Sequence, residues 1–499
     1  MEYKIRLIPG IPDDDNRDYL PVKLKESEIV VNENGNNSQV YPKNLKEMKA
    51  CLIDEHEDTW YEYVPDSYDP SRKTPLVFSM HGGIMNGWGQ CIYTSWSHVA
   101  DREGFIVVYP NAHLRGFWQI ECERRFFKQL SEPNDEGIYM HDFPDDIREN
   151  NDIRIVVKLT EMMKEKYNID EERIYMQGMS LGNSMTAMIA RHCGMHFAGM
   201  AGSAGPSTIG LLFDKDDRPV NAGGPVPVWQ ARMEFDQAPP ASEEGVEDVV
   251  AKNREYWLRI NECDTLPELK IDGENNFAFY KGKKADFVFR DVKNRDHGQT
   301  FDEAELVWDY FFSGTRRRAD GSIEYMEPEI PREGDKVVVA AADGCDSIWV
   351  GQEMKKLPAK AFMWKKLKYH GLHGDAIVRG EYCMIPASSV AQIAGAAYGE
   401  KDGWAQMTMK DGRVIQFARG CIGCTIDNRV HAMLCEPVER EGMLFISIEW
   451  FCREVLGLHV STCGTTLGDV MYATDHYSLL SVNMARLIKD LLSGYKPVK

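Results

Sequence analysis

From Thr59 onward the chain alternates between two hydrophobic rhythms. Pro75–Met80 and Gly104–Tyr109 are near-continuous apolar runs, the pattern of strands buried on both faces of a parallel sheet. Trp60–Val64 alternates instead, as a half-covered strand does. Between these runs the spacing becomes helical. Asp152–Tyr167 places Val156, Leu159, Met163 and Tyr167 on one face and Glu161, Lys164 and Lys166 elsewhere, and Trp88–Asp101 can form a second helix. Further strands are predicted at Phe197–Met200, Val226–Met233 and Ala285–Phe289, with helices at Glu243–Glu262 and Phe301–Phe312. Strand and helix alternating in this way predict an α/β class domain over about residues 51–313, built on a doubly wound, mostly parallel sheet.

The remaining segments do not follow that rhythm. Residues 1–50 are polar, with Asp13–Asn16 and Asn32–Asn37 as turns between short runs such as Ser27–Val31, and they predict a strand or two at a sheet edge. Two insertions, Ala112–Asn151 and Asp214–Gly224, are long enough to be lids. The first carries Phe117, Trp118, Phe126, Phe127, Tyr139 and Phe143, the aromatic content of a substrate wall or of a packed subdomain. Residues 314–335, rich in Gly, Pro and charge, predict a linker. Beyond it, residues 336–499 hold a repeat at a shift of 62: Met384–Ala396 lies over Ile446–Leu458, each a short helix ending at a glycine, Gly395 or Gly457. A strand follows each copy, at Trp404–Met409 and Asp469–Tyr472, and a last helix aligns Leu480, Met484, Leu487 and Leu491. This predicts a smaller α+β domain, in which Trp349, Trp364, Trp404, Trp450 and Tyr472 are candidates for an aromatic platform.

Charge and cysteine usage narrow the partners. A formal net charge of −20 over 499 residues argues against nucleic acid and against an anionic membrane, since both require clustered Lys and Arg. No run of about twenty apolar residues is present, and the first residues lack a signal-peptide core, so the expectation is no membrane span and a cytoplasmic setting. The twelve cysteines are irregularly spaced, which suits reduced thiols, and Cys421-Ile-Gly-Cys424 has no second pair at zinc-finger spacing.

The chemistry centres on Gly178-Met-Ser180-Leu-Gly182. A strand that ends here and turns sharply into a helix leaves Ser180 on a strained corner with its hydroxyl exposed, and the glycines remove Cβ atoms that would block the turn. A serine hydroxyl is a poor nucleophile at neutral pH; it needs a histidine base, and the base needs a carboxylate to hold its tautomer. In chain order those candidates are Asp236, after the strand ending at Met233, and His297, after the strand around Phe289. Glu234 is the alternative acid, whereas Asp296 is too close to His297 to orient it. Backbone donors for an oxyanion are expected from Gly82 and Gly83, in His81-Gly-Gly83 after a strand, and from Leu181. His81 is expected to support that loop.

With these residues in place, about Thr59–Phe312 resembles the polyhydroxybutyrate depolymerase and feruloyl esterase group of carbohydrate esterases. The matching pieces are Tyr63–Pro70, Pro75–Gly83, Ala100–Pro110, Tyr167–Tyr175 and the Ser180 turn. The resemblance implies an α/β-hydrolase fold and a serine esterase acting on hydroxycinnamoyl, acetyl or hydroxyalkanoate esters, small or polysaccharide-linked, with no cofactor and no catalytic metal. The sequence departs from the group at Leu181-Gly-Asn183 and His297-Gly-Gln299. About Asp346–Tyr477 is similar to the copper amine oxidase N-terminal-like stalk domain, which does not imply copper binding. Two other readings use the same residues: a catalytically silent binding protein, and a serine peptidase.

Overall fold

A computed structural model describes residue 5 and residues 41–494, except 115, 136, 237–245, 371–374 and 465–469. The early strands expected before residue 41, Ser27–Val31 among them, lie outside the described residues. Two compact units emerge: the described residues up to Pro267 with Phe279–Arg332, and Glu268–Ala278 with the described residues from Glu333 onward.

The first unit begins with β1 (Leu45–Ala50), β2 (Asp58–Tyr63), β3 (Thr74–Met80), α1 (Gly87–Tyr93), α2 (Trp96–Glu103) and β4 (Ile106–Pro110). Through the first insertion and the serine turn run α3 (Arg124–Leu130), α4 (Asn151–Lys166), β5 (Ile169–Met179) and α5 (Leu181–Cys193). The rest comprises β6 (Gly199–Ser203), α6 (Ile209–Leu212), β7 (Val228–Met233), α7 (Val246–Ile260), β10 (Phe287–Val292) and α8 (Glu303–Tyr310), with the hairpin strands β8 (Glu268–Asp272) and β9 (Asn275–Tyr280) following α7 in the chain. Strand order in the unit is β1-β2-β4-β3-β5-β6-β7-β10. Neighbours from β4 through β10 pair in parallel, and β1 and β2 run antiparallel at the edge.

This is the α/β-hydrolase arrangement, and the apolar runs explain it. Every residue of β3 and β4 is buried, as a sheet covered on both faces requires. Helix α4 turns Ile155, Val156, Leu159 and Met163 inward and keeps its charged residues out. The single helix expected at Trp88–Asp101 is two, because Thr94 and Ser95 take non-helical backbone and Ser95 starts a new N-terminus.

The 314–335 linker is corrected. Thr315–Arg317 pairs antiparallel with Ile323–Tyr325, and Arg317 donates to the carbonyls of Phe197, Gly194 and Pro225 at 3.0, 3.2 and 3.0 Å. A Gly- and Arg-rich stretch reads as a linker until its guanidinium is seen to satisfy three loop carbonyls. The expected domain of 51–313 is likewise interrupted, because residues 268–278 group with the second unit. There Ile271 N–H reaches Asp335 at 3.0 Å and the Asn276 amide reaches Leu479 O at 3.0 Å. Asp272-Gly273, with Gly273 at φ 56°, is the hairpin signal that marks this excursion.

The second unit is antiparallel strands in several small sheets with short helices. Its two repeat copies pair directly: Met384 opposes Ser447 and Ile385 opposes Ile446, so each residue faces the chain neighbour of its repeat equivalent, as a local two-fold between the copies requires. The first copy continues as helix Ala387–Ala394, closed by Gly395 at φ 62°. The second becomes a π turn at Phe451–Val455, with Gly457 at φ 68°. Trp349, Trp450 and Tyr472 are buried core, which removes them from the expected aromatic platform; Trp404 is exposed. Among the described residues no helix is long and apolar enough to cross a membrane.

Candidate active site

Strand β5 delivers its last residue, Met179, to a turn in which Ser180 holds φ 57° and ψ −123°, a strained conformation for a residue with a Cβ. Only glycine fits on either side. A Cβ on Gly178 would lie 2.1 Å from Gly182 O, and one on Gly182 would lie 2.2 Å from Met80 O. The Ser180 N–H donates to Ser203 O at 2.9 Å, which ties the turn to the end of β6.

The base and acid arrive on the loops after β10 and β7. Those loops are joined by Glu234 N–H to Val292 O and Phe235 N–H to Arg295 O, each 2.9 Å. His297 Nε2 then lies 2.8 Å from Ser180 Oγ, and its Nδ1 lies 2.9 Å from Asp236 Oδ1. Asp236 is buried, and its other oxygen accepts from Arg232 Nη1 at 2.9 Å. Burial pushes the Arg232 guanidinium below its usual range, and the charge of Asp236 opposes that.

Glu234, the alternative acid, is turned elsewhere. Its carboxylate accepts from Lys293 Nζ at 3.0 Å and Asn294 N–H at 2.9 Å. Asp296 accepts from the His297 backbone N–H at 2.7 Å and so shapes the loop.

Gly82 and Gly83 stand against the serine turn. A Cβ on Gly82 would be 3.5 Å from Ser180 Cβ, and one on Gly83 would be 2.7 Å from Leu181 Cδ1. Leu181 opens helix α5, whose N-terminal N–H groups and dipole favour negative charge at that end. Beneath the glycines His81 is fully buried. Its Nε2 accepts from Ala112 N–H at 3.1 Å, which leaves the proton on Nδ1, 2.7 Å from Gly82 O. Desolvation brings its proton affinity down to about 4, so it is a neutral prop for the loop. Trp118 completes the support, donating from Nε1 to His81 O at 2.7 Å.

Ser180 and His297 open into a cavity of about 370 Å³ with apolar walls from Ile120, Phe126, Pro206 and Leu211. Of the six insertion aromatics expected as a substrate wall, Phe126 lines this cavity, whereas Phe117 and Trp118 are packed beneath the loop. Sequence reasoning missed Glu121 and Arg191, which form an ion pair in the same wall between a buried guanidinium and a partly buried carboxylate, with His192 2.9 Å from Glu121. Burial raises the Glu121 carboxyl, but the His192 hydrogen bond and the Arg191 charge outweigh it and hold the group at about 2. Arg191 stands about three turns down α5 from the serine, on the face that Leu181 and Ser184 also present to the cavity. That spacing is the signal that would have found it.

No family model matches the chain. A bifunctional acetylxylan esterase/xylanase of Neocallimastix patriciarum is 25% identical over 252 residues, 50% of this chain and 32% of that protein. A probable dipeptidyl-peptidase 5 of Aspergillus niger is 25% identical over 257 residues, again 50% of this chain and 32% of that protein. The matched region thus spans about a third of the length of these relatives. Among solved structures, an acetyl xylan esterase from Aspergillus awamori aligns with a TM-score of 0.38 and 15% identity, covering 53% of this chain and 98% of that one. A poly(3-hydroxybutyrate) depolymerase from Bordetella parapertussis aligns with a TM-score of 0.36 and 13% identity, covering 55% and 92%.

Proposed function

We propose that this chain is a serine hydrolase of carboxylic esters with Ser180 as nucleophile, His297 as general base and acid, and Asp236 as the orienting carboxylate. The observation that carries the reading is the unbroken line Asp236 Oδ1, His297, Ser180 Oγ, with contacts of 2.9 and 2.8 Å, opening on a cavity at a strained turn. Ser180 Oγ adds to the ester carbonyl carbon while its proton passes to His297 Nε2. The carbonyl oxygen becomes an oxyanion beside Leu181 and the Gly82–Gly83 loop. The tetrahedral adduct then collapses, the C–O bond to the alcohol breaks, and Nε2 gives its proton to the departing oxygen. Water, deprotonated by Nε2, attacks the acyl-enzyme; the acid leaves and Ser180 regains its proton. Each step is served by the chain's own groups and water.

The apolar wall of Ile120, Phe126 and Leu211 supports an aryl or short alkyl acyl group, in line with hydroxycinnamoyl, acetyl or hydroxyalkanoate esters, free or polysaccharide-linked. The similarity to an acetylxylan esterase supports the ester reading, and the similarity to a dipeptidyl-peptidase favours the peptidase as a second one. For the second unit the proposal is a stalk-like module that takes no part in the chemistry, supported by the pairing of its two repeat copies.

Fluorophosphonate labelling of the full chain and its Ser180→Ala variant tests the nucleophile. Hydrolysis of a panel of acetyl, feruloyl and hydroxybutyrate esters beside peptide amides tests the bond type. Labelling that survives Ser180→Ala removes the assignment. Turnover of amides at the rate of esters moves it to the peptidase. Folded protein that neither labels nor turns over is a binding protein.

A further inference from the structure

Away from the cleft, the β1–β2 connection carries Asp54-Glu-His56-Glu-Asp58, and the segment after β4 carries His113. The His113 side chain is 4% exposed and sits between two carboxylates: Nδ1 is 2.7 Å from Asp58 Oδ1, and Nε2 is 3.2 Å from Asp54 Oδ2. A neutral imidazole has one donor and one acceptor nitrogen, so a single ring proton cannot answer both. The shorter contact, to buried Asp58, claims the proton on Nδ1; Asp58 is itself held by Leu52 N–H at 3.2 Å. The Nε2 lone pair is then left facing a carboxylate oxygen.

A cation resolves that opposition. Two ligands at about 2.1 Å from a tetrahedral ion lie about 3.4 Å apart, close to the separation of Nε2 and Asp54 Oδ2. A second imidazole, that of His56, stands beside this pair. The rings of His56 and His113 have centroids 4.8 Å apart, and ligand atoms of His56, Asp58 and His113 all fall within 4.8 Å of one another. The Asp54 backbone turn is fixed by His56 N–H donating to Asp54 Oδ1 at 2.7 Å. Asp58, bonded to the far nitrogen of His113, occupies the position from which a carboxylate sets a metal-bound imidazole's tautomer.

We propose that His113, His56 and Asp54 bind a divalent transition-metal ion of the zinc class, oriented by Asp58. Two imidazoles and a carboxylate select a borderline ion such as Zn²⁺ over the oxygen-preferring Ca²⁺ and Mg²⁺. His56 and Asp54 lie at the surface, so a remaining position is open to water. The role is structural. The ion joins the β1–β2 connection to the start of the insertion, where His113 N–H donates to Asp152 at 2.7 Å and the preceding residue, Ala112, bonds His81 beneath the glycine loop. The proposal does not depend on the esterase reading, because metal binding is measured without an ester.

The test is titration of the full chain, stripped by a chelator, with Zn²⁺ in a calorimeter and with Co²⁺ by visible absorption. The expected result is one equivalent bound, tetrahedral or five-coordinate d–d bands, and a melting temperature raised by Zn²⁺ and not by Mg²⁺. Asp54→Asn with His56→Ala changes two surface positions and is expected to keep the metal-free melting temperature while losing more than a hundredfold in affinity. Asp58→Asn is expected to lose about 10–100-fold through the tautomer. Binding that survives the double substitution overturns the proposal. So does nitrogen NMR showing both His113 ring nitrogens protonated with Zn²⁺ in excess, for then an imidazolium is what the two carboxylates hold.

Discussion

Arg232 and Asp236 form a 2.9 Å ion pair in which the side chains are 3% and 0% exposed, and the other oxygen of that same carboxylate reaches His297. The carboxylate is therefore gripped from two sides. Arg232 also donates to the Asp236 backbone carbonyl, so one guanidinium fixes both the side chain and the turn that carries it. Arg232→Met should leave Asp236 buried without its cation and cost about 3–5 kcal/mol of stability, the range for breaking one side of a buried pair. Because the acid then loses its fixed angle to His297, kcat should fall about 10–100-fold while KM for a small aryl ester stays within about twofold. Steady-state kinetics with thermal melting checks this, and Arg232→Lys should recover part of kcat. An unchanged kcat in folded Arg232→Met would remove the positioning role.

The relay itself predicts strong non-additivity. Ser180→Ala and His297→Ala should each lower kcat by several orders of magnitude, and the double variant by little more, because the members act as a unit. Asp236→Asn should lower kcat far more than Glu234→Gln, since only Asp236 touches His297 whereas Glu234 is held by Lys293 and Asn294. A His297→Ala enzyme with a tenth of wild-type activity, or the reverse ranking of the two acids, would sink the assignment.

Much of this arrangement was legible because its causes are local. The apolar runs at Pro75–Met80 and Gly104–Tyr109 can only be strands covered on both faces, and a Gly-x-Ser-x-Gly turn has to lie between a strand and a helix. Ser180, Asp236 and His297 come together because each follows a strand of one parallel sheet, and the loops at that end converge. What the sequence hid depends on long-range partners. Arg317 looks like linker charge until its three carbonyls are known, and residues 268–278 look like part of the surrounding domain until Asp335 and Leu479 are seen to hold them. The Trp349, Trp450 and Tyr472 side chains looked like a platform because aromatic spacing does not separate a surface from a core.

His81 predicts a stability change with acid. Its folded-state proton affinity, about 4, is below the ordinary 6.5, so the unfolded chain binds the proton first as pH falls. Its contribution is intact above pH 6.5, is lost between pH 6.5 and 4, and amounts to roughly 3 kcal/mol when fully lost. Asp152 works in the opposite sense: burial raises its carboxyl to about 6, against the N–H groups of Gln119 and His113 that favour the anion. The two are separated by His81→Gln, whose amide oxygen can still accept from Ala112. Wild type minus variant should show stability rising with pH between 4 and 6.5, measured by urea unfolding. A flat difference would mean that the imidazole binds its proton in the fold as readily as in the unfolded chain.

The glycines at the turn predict a contrast that separates packing from chemistry. A Cβ on Gly182 would lie 2.2 Å from Met80 O and 2.6 Å from His81 O, both backbone atoms, one at the end of a fully buried strand and the other on the loop that presents Gly82 and Gly83. Neither can move without shifting β3 against α5. Gly182→Ala should therefore cost about 3 kcal/mol or more, at or above the usual range for overpacking, and should also lower kcat by displacing the loop from Ser180. A Cβ on Gly83 meets the tip of Leu181 at 2.7 Å and the edge of Phe117 at 3.3 Å, and a leucine tip can change rotamer. Gly83→Ala should melt within a few degrees of wild type, about 1 kcal/mol or less at this chain length. Its Leu181 side chain, however, is pushed within the cavity that the substrate must enter, so kcat/KM should drop about tenfold or more. Thermal melting and kinetics on the two variants decide the matter: a Gly182→Ala protein as stable as wild type would mean that the turn is held more loosely than these contacts require, and a fully active Gly83→Ala would remove Gly83 from the surface facing the reacting carbonyl.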